Sequence, residues 1–317
     1  PDDAELLGSA AYAWLQKGNW AQAAALARQA SAADPDDDRA LRLQASALLQ
    51  LGQARPAAEL AYRAVQLAPH AYITHLLYAR CLSEIPGAQQ QAWDEAMTTV
   101  ALAPQEPSTH VLVADLAYPP ENAVNARGLD IAEEALRRAL ELDPQNSTAM
   151  NNLARVRLRR SKRLGAMSGF SDALTADPQN EVALHNIGVV LGGFLRPAHW
   201  LILGAIIASI LFADPQSGLA GRLTQGVIAL AVVGVVGWVV IRVRRAVPGR
   251  LRTFLREFAR RQGWAVAWAA FLAVAAAGLL SAPLLPDGAR AGILGGAILS
   301  VSAGFVCSWA WVLSRRR

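Results

Sequence analysis

The strongest constraint on the fold is a proline that recurs at nearly constant intervals through the first part of the chain. Its successive spacings are 34, 35, 40 and 34 residues. Proline ends a helix because it lacks an N–H donor and its ring clashes with the preceding turn. Gly18 and Gly52, also 34 residues apart, permit tight turns between helices. The five prolines are Pro35, Pro69, Pro104, Pro144 and Pro178. A stacked array of helical hairpins is predicted, because a single hairpin cannot bury its apolar face alone.

Small residues keep the same phase as the prolines. One such series is Ala11, Ala45, Ala79, Ala114, Ala154 and Gly188. The last full repeat also carries Leu153, Ala154, Ala166, Phe170, Ala173 and Pro178. On these marks, residues 4–193 resemble a tetratricopeptide repeat (TPR) protein. The resemblance implies five repeats, at 4–37, 38–71, 72–106, 107–146 and 147–180, and a capping helix at about 181–193. An insertion around 118–122 is expected to be either a tolerated surface loop or a binding element.

The resemblance also implies that the first helix of each repeat, helix A, lines a concave groove that binds a protein or peptide. The predicted lining is Tyr12, Arg42, Leu43, Leu76, Leu77, Arg80, Val111, Leu112, Asp115, Asn151, Asn152, Arg155, His185 and Asn186. Such a mixed surface suits an extended or helical peptide. Asn152 and Asn186 share one inner position, where the resemblance implies bonds to a peptide backbone, with Arg155 near a terminal carboxylate. The alternative is that these amides only solvate the groove or bond neighbouring helices.

Charge divides the chain in two. Residues 1–197 contain 22 acidic and 17 basic side chains, whereas residues 198–317 contain 3 acidic and 13 basic ones. The basic excess therefore lies in the C-terminal part and not on the repeats, so no nucleic-acid partner is expected. A basic run at 155–163 is interpreted either as a solvated helix end or as a contact with anionic lipid headgroups.

Four apolar stretches follow the repeats, and each approaches the roughly 20 residues needed to cross a bilayer core. They lie at about 194–213, 223–241, 264–284 and 291–313. The predicted fold is therefore all-α, with a TPR helical-hairpin solenoid at 1–193 and a bundle of about four transmembrane helices at 194–317.

Arginine placement predicts the orientation, because cytoplasmic connections are enriched in basic residues. The 242–263 connection carries eight arginines, and the chain ends in three more at 315–317. Both ends of the membrane domain and the TPR domain are thus expected in the cytoplasm. Abundant Ala, Gly and Arg suggest a GC-rich bacterial genome and hence an inner-membrane location.

Residues 249–262 are predicted to form an amphipathic basic helix on the inner leaflet. The residues proposed to lie at the membrane surface are Arg250, Arg252, Phe254, Arg256 and Phe258. A plain basic loop is the alternative.

Small residues recur every four positions in the last span, at Gly292, Gly296, Ser300 and Gly304. Such a ridge lets transmembrane helices pack closely. The last two spans are therefore expected to pack on each other or on a second copy of the chain, which would give a homo-oligomer.

Motifs for catalysis are missing from the sequence. There is no phosphate-binding glycine loop, no His-xxx-His pair, and no second cysteine near Cys81. We expect no enzyme activity, no cofactor and no metal. The leading hypothesis is a membrane-anchored scaffold or adaptor whose groove binds a cytoplasmic protein or peptide. The alternative is a regulatory TPR-bearing component of a membrane transport or secretion complex.

Overall fold

The computed structural model describes residues 2–120, 125–212, 219–246 and 263–314, and within them the regular structure is helical without a strand. The predicted all-α class is therefore confirmed. The chain divides into two compact units, Pro1–Val156 and Arg157–Arg317.

The first unit consists of consecutive helical hairpins. Its helices are α1 (Asp2–Gln16), α2 (Trp20–Ala33), α3 (Asp38–Gln50), α4 (Ala54–Leu67), α5 (Tyr72–Ser83), α6 (Gln89–Leu102), α7 (Pro107–Ala117), α8 (Ala126–Leu142) and most of α9 (Ser147–Arg159). Each odd-numbered helix from α1 to α7 packs on the helix that follows it, and α1, α3, α5 and α7 also contact one another in order. This is the predicted solenoid, with helix A of successive repeats stacked side by side.

The turns that follow α1, α3, α5 and α9 each contain one left-handed residue. Gly18 and Gly52 have φ values of 75° and 73°. In both turns the N–H of the residue after the glycine bonds a carbonyl five residues back, as between Gln53 N and Leu48 O at 2.9 Å. The turn after α9 has the same backbone bond, but Ser161 takes the glycine's place with φ 59°.

The turns between repeats are closed in two chemically different ways. In three of them, an aspartate before the proline accepts from the backbone N–H two residues on, as Asp143 Oδ1 does from Gln145 N at 3.0 Å. The residue before the next helix then caps it, as Asn146 Oδ1 does by accepting from Ala149 N at 2.9 Å. The three aspartates are Asp34, Asp143 and Asp177.

In the other two turns alanine replaces the aspartate, and the following helix supplies the polar groups. Thr74 Oγ1 donates to Ala68 O at 3.1 Å, and His75 Nε2 lies 2.9 Å from Pro69 O. The next turn repeats both bonds, from Thr109 Oγ1 to Ala103 O at 3.3 Å and from His110 Nε2 to Pro104 O at 2.9 Å. The carbonyl groups of the turn are thus satisfied without an acidic residue.

Small residues determine how closely the helices approach. Ala11, Ala45, Ala79 and Ala114 are all essentially inaccessible to solvent. The closest approach is at Gly128, where an added Cβ would lie 2.5 Å from the backbone oxygen of Ala117. The predicted insertion lies just before this contact, and its residues 121–124 are outside the described part of the chain.

The second unit contains α10 (Arg163–Ala176), α11 (Glu181–Phe212), α12 (Leu219–Ala246), α13 (Gly263–Ser281), a short 3₁₀ turn (Ala282–Leu284) and α14 (Asp287–Ser314). Within it α13 and α14 pack extensively on each other, and α11 contacts α10, α12, α13 and α14. Four segments have the length and composition needed to cross a membrane: Glu181–Leu211, Leu219–Gly237, Gly263–Leu284 and Ala289–Ala310. The predicted amphipathic helix at 249–262, with its five surface residues, lies outside the described residues.

Helix α11 joins two elements that the sequence suggested were separate, the capping helix and the first span. Pro197 lies inside it and cannot donate the usual bond to the carbonyl of Gly193, four residues back. That carbonyl accepts instead from Arg163 Nη1 at 3.3 Å. Because a side chain satisfies the freed carbonyl, the helix continues through the proline, and the expected boundary at 193/194 falls inside it.

Candidate functional site

An open concavity of about 1010 Å³ lies in the first unit, where the helix A elements α3, α5, α7 and α9 face solvent. Its lining is Leu49, Gln50, Gly52, Ala54, Arg80, Ser83, Glu84, Gln89, Trp93, Leu112, Asp115, Leu116, Tyr118, Pro120 and Arg155. We call this concavity the groove.

Two helix A positions supply most of the groove's chemistry. The ninth residue of the repeat is Arg80 in the third repeat, Asp115 in the fourth and Arg155 in the fifth. The twelfth residue is Leu49 in the second repeat, Ser83 in the third and Tyr118 in the fourth. Both series follow the spacing of the prolines, because each repeat presents the same helix face to the groove.

The structure brings four of the predicted lining residues to the groove itself: Arg80, Leu112, Asp115 and Arg155. The fifth and sixth positions of helix A point mainly toward neighbouring helices and not into the groove. They are buried in the helix-packing cores at Leu43, Leu76, Leu77 and Val111. Leu112, at the sixth position, is 1% exposed and belongs to both environments.

The remaining predicted residues lie outside the groove lining. Tyr12 is about half exposed on α1, and Arg42 is paired with Asp38 at 2.7 Å on α3. His185 and Asn186 belong to the second unit. Asn151 and Asn152 are buried beside the groove, with a 3.3 Å bond from Asn151 Nδ2 to Asn152 Oδ1.

A polar cluster crosses the groove between two repeats. Asn152 Nδ2 donates to Asp115 Oδ1 at 2.7 Å, and Arg155 Nη1 lies 3.4 Å from Asn152 Oδ1. The Arg155 guanidinium also stacks over the ring of Tyr118, 4.7 Å from its centroid, which is favourable cation–π geometry. These contacts hold Arg155 and Asn152 in place before any ligand arrives.

The electrostatics of the groove centre on Asp115. Solvent reaches this carboxyl, but the walls of the groove surround it with protein, and this desolvation raises its pKa above the ordinary value. The positive charges of Arg80 and Arg155 act in the opposite direction. Arg80 is exposed, and its guanidinium forms no hydrogen bond and no ion pair with a described residue.

The groove can therefore offer the exposed guanidinium of Arg80 and the preorganised guanidinium of Arg155, beside the apolar surfaces of Trp93, Leu112 and Leu116. Several of these residues were not named from the sequence, among them Trp93, Leu116 and Tyr118. The twelfth helix A position would have found Tyr118. Trp93 lies on helix B, the second helix of its repeat, where the sequence carries no groove signal.

No other chemistry stands out in the described ranges. No group of three or more His, Cys, Asp or Glu side chains there is placed to hold a metal ion. Cys81 and Cys307 are free and buried. Burial raises the pKa of the Cys81 thiol to about 12, which makes it a poor nucleophile.

Only part of the small-residue ridge predicted in the last span lies at the packed face of α14. Ser300 Oγ donates to Phe271 O at 2.8 Å, and an added Cβ at Gly304 would lie 3.2 Å from Trp268 Cδ1. Gly292 and Gly296 have no atom within 4 Å of an added Cβ.

Solved structures with a similar fold are TPR proteins. TTC0263 from Thermus thermophilus matches with a TM-score of 0.54 at 19% identity, over 59% of this chain and 98% of its own. MamA from Desulfovibrio magneticus gives a TM-score of 0.41 at 19% identity, over 57% and 98%. YrrB, a TPR protein with an unusual peptide-binding site, gives 0.38 at 17% identity, over 58% and 91%.

A scan with protein-family models finds no match, and a search of the curated proteins finds none either. At 19% identity the likeness to TTC0263 is one of fold alone. The repeat region of this chain therefore has the tetratricopeptide-repeat fold, as its proline and alanine periodicity indicates.

Proposed function

We propose that the protein is a membrane-anchored scaffold whose groove binds a protein or peptide segment in the cytoplasm. The observation that carries the proposal is the groove itself, which combines apolar walls with an exposed Arg80 whose guanidinium forms no hydrogen bond or ion pair with a described residue. An unpaired arginine beside apolar surface favours a ligand that carries both an acidic group and apolar side chains.

Anchoring is the second half of the proposal. Its support is the four long apolar helices of the second unit, together with the concentration of arginine in the 242–263 connection and at the C-terminus. With four spans, this distribution would leave the groove and the C-terminus on the cytoplasmic side of a bacterial inner membrane. The groove would then hold its ligand next to the bilayer.

Site-specific photocrosslinking in cells tests the groove. A photoreactive amino acid replaces Gln50, an exposed residue of the lining, or Arg63, an exposed residue of α4 outside it. We expect a discrete crosslinked partner from position 50 and not from position 63. Arg80→Glu should abolish that product, because it puts a negative charge at the ligand's acidic group, whereas the matched reversal Arg63→Glu should leave it unchanged.

Crosslinks of equal yield from both positions, or a position-50 product insensitive to Arg80→Glu, would refute groove binding. Alkaline carbonate extraction of the same membranes tests anchoring separately, since an integral protein stays in the pellet. Protease digestion of sealed vesicles of known orientation then tests whether the repeat domain lies on the cytoplasmic side.

A further inference from the structure

A second concavity, of about 330 Å³, lies wholly within the second unit. Its walls come from the turn before α10 and from the middle of α11. Six of its lining residues are Leu158, Ser161, Arg163, Val189, Gly193 and Arg196. It lies on the segment where α11 passes through Pro197, and the groove residues take no part in it.

The concavity has two arginines and, in the described part of the chain, no counter-charge. Neither Arg163 nor Arg196 has a carboxylate within 4.0 Å there. Arg163 makes one hydrogen bond, to the carbonyl of Gly193, which leaves most of its five N–H donors available. Arg196 is exposed and forms no such bond to any described residue. Two cations held at one small concavity without an acid favour an anion with several acceptor oxygens.

The glycine at 193 is part of this arrangement. An added Cβ there would lie 3.6 Å from both Cζ and Nε of Arg163, so the guanidinium lies directly on the bare helix backbone. The Gly193 carbonyl is available as an acceptor because residue 197 is a proline and has no N–H to donate, and its bond to Arg163 Nη1 holds that edge of the guanidinium against the helix. Arg163 is thus positioned in advance and does not need to be ordered by a ligand.

The rest of the surroundings is apolar. Leu158 and Val189 form part of the wall, and Val189 is 41% exposed. One turn beyond Arg196, the ring of Trp200 is 61% exposed, and Leu201 beside it is 39% exposed. Trp200 and Arg196 lie in the middle of α11, at the start of the apolar stretch predicted at about 194–213. Tryptophan next to a basic residue at the start of a membrane-spanning stretch is typical of the interface between headgroups and acyl chains. A free inorganic ion would leave these apolar surfaces uncovered, whereas an amphipathic anion would cover them.

We propose that this concavity binds the phosphate of one anionic phospholipid, with Arg163 and Arg196 as its ligands and Val189 against the glycerol and the first acyl carbons. Basic pockets beside transmembrane helices on the cytoplasmic side bind anionic headgroups in this way. The inference rests on the proposed membrane insertion, and it is independent of what the groove binds. It gives Arg163, the last residue of the basic run at 155–163, a specific role in place of a general attraction to the surface.

Native mass spectrometry of the full chain in detergent tests the proposal. The protein is supplied with equimolar dioleoylphosphatidylglycerol and dioleoylphosphatidylcholine, and retained lipid is counted. We expect one tightly held phosphatidylglycerol in preference to phosphatidylcholine. Arg196→Gln should weaken it by about tenfold, and Arg196→Lys should restore part of the binding, because lysine keeps the charge but loses the planar fork. Arg196 is chosen because its side chain forms no hydrogen bond or ion pair with a described residue.

The matched control removes charge elsewhere on the same proposed leaflet. Arg244→Gln with Arg245→Gln neutralises two exposed arginines at the end of α12, outside the concavity. This variant should retain phosphatidylglycerol as the parent does. Equal loss from both variants would show general electrostatic attraction and overturn the site, as would equal retention of the two lipids by the parent.

Two further arms separate the remaining outcomes. Inorganic phosphate is titrated against bound phosphatidylglycerol, and displacement at a comparable concentration would show a site for free phosphate and overturn the lipid proposal. Carbonate extraction is run on the same membranes. A chain that stays membrane-bound but retains no phosphatidylglycerol refutes this site alone, whereas a chain released by carbonate refutes both the site and the proposed anchoring.

Discussion

Replacing Ser161 by glycine is expected to stabilise the turn between α9 and α10 by about 0.5–1 kcal/mol. Ser161 has φ 59°, a left-handed conformation that Gly18 and Gly52 adopt in the equivalent turns. An L-residue pays about 1–2 kcal/mol there because Cβ crowds the following carbonyl. Glycine removes that strain but loses about 0.5–1 kcal/mol through the greater freedom of the unfolded chain. The difference is the predicted gain.

Hydrogen–deuterium exchange of the intact protein measures this effect locally, because repeat proteins open in segments. A gain of about 0.5–1 kcal/mol should slow exchange in the first turns of α10 by roughly two- to fivefold, since about 1.4 kcal/mol corresponds to tenfold. Gly52→Ser should do the reverse in its own hairpin. At that position an added Cβ meets no atom within 4 Å, so backbone strain is the only change.

Ser46→Gly provides the control for the chemical change itself. Ser46 lies inside α3, where the backbone is helical and glycine costs roughly a few tenths of a kcal/mol relative to serine. Exchange in α3 should therefore speed up. If Ser161→Gly also speeds exchange, the reasoning from backbone strain is refuted, and Ser161 must contribute through its side chain.

Four further measurements probe three local features: the close approach at Gly128, the buried Cys81 and the pair formed by His75 and Glu95. Gly128→Ala should lower the free energy of unfolding by more than about 1 kcal/mol in thermal unfolding, because the new alanine Cβ would collide with the backbone oxygen of Ala117. Helix propensity alone predicts the opposite, a gain of about 1 kcal/mol. With the other cysteine replaced by serine, Cys81 should resist maleimide at about pH 8 in the folded protein and react on unfolding. Its raised pKa also predicts stability that is full below about pH 9 and is lost as pH rises toward about 12. A double-mutant cycle between His75 and Glu95, whose Nδ1 and Oε2 atoms lie 2.7 Å apart, should give a coupling of about 1–3 kcal/mol, and additive effects would contradict the contact.

The periodic part of the fold could be predicted because each mark has a strong local cause. Proline after every second helix, and a glycine or its substitute in the turns after α1, α3, α5 and α9, determine where helices end. Small residues in phase with them determine where helices touch. These signals depend on local sterics, which a sequence carries directly, and the four hairpins from α1 to α8 follow from them.

The groove was less accessible to sequence reasoning because its lining depends on which way a helix face is turned. Leu76 and Val111 were predicted to line it, yet both are buried where neighbouring helices pack. Trp93 reaches the groove from helix B, which no helix A pattern can reveal. Arg80 and Asp115, which were also predicted to line the groove, do lie in its wall, because both are exposed polar residues at the same position of helix A.

The continuous α11 was missed for a different reason. Proline inside a helical pattern normally indicates a boundary, and Pro197 does remove one backbone bond. The replacement donor, Arg163, lies 30 residues before the carbonyl that it satisfies. A compensation of this kind depends on tertiary structure and leaves no trace in the local pattern.

The two ways of closing the turns between repeats mean that the repeats are not interchangeable modules. A turn that contains aspartate has its hydrogen-bonding side chain in the turn itself, just before the proline. The turn after Ala68 instead depends on hydrogen bonds from Thr74 and His75, which belong to the next repeat. If one repeat is duplicated or transplanted, a turn that lacks the aspartate can be followed by a helix that lacks the threonine and histidine. The carbonyl groups of that turn would then have no side-chain donor. Insertion or shuffling of repeats in this protein should succeed only when the exchanged segment runs from the middle of one helix to the middle of another. Each turn then stays joined to the helix ends that supply its hydrogen-bond partners.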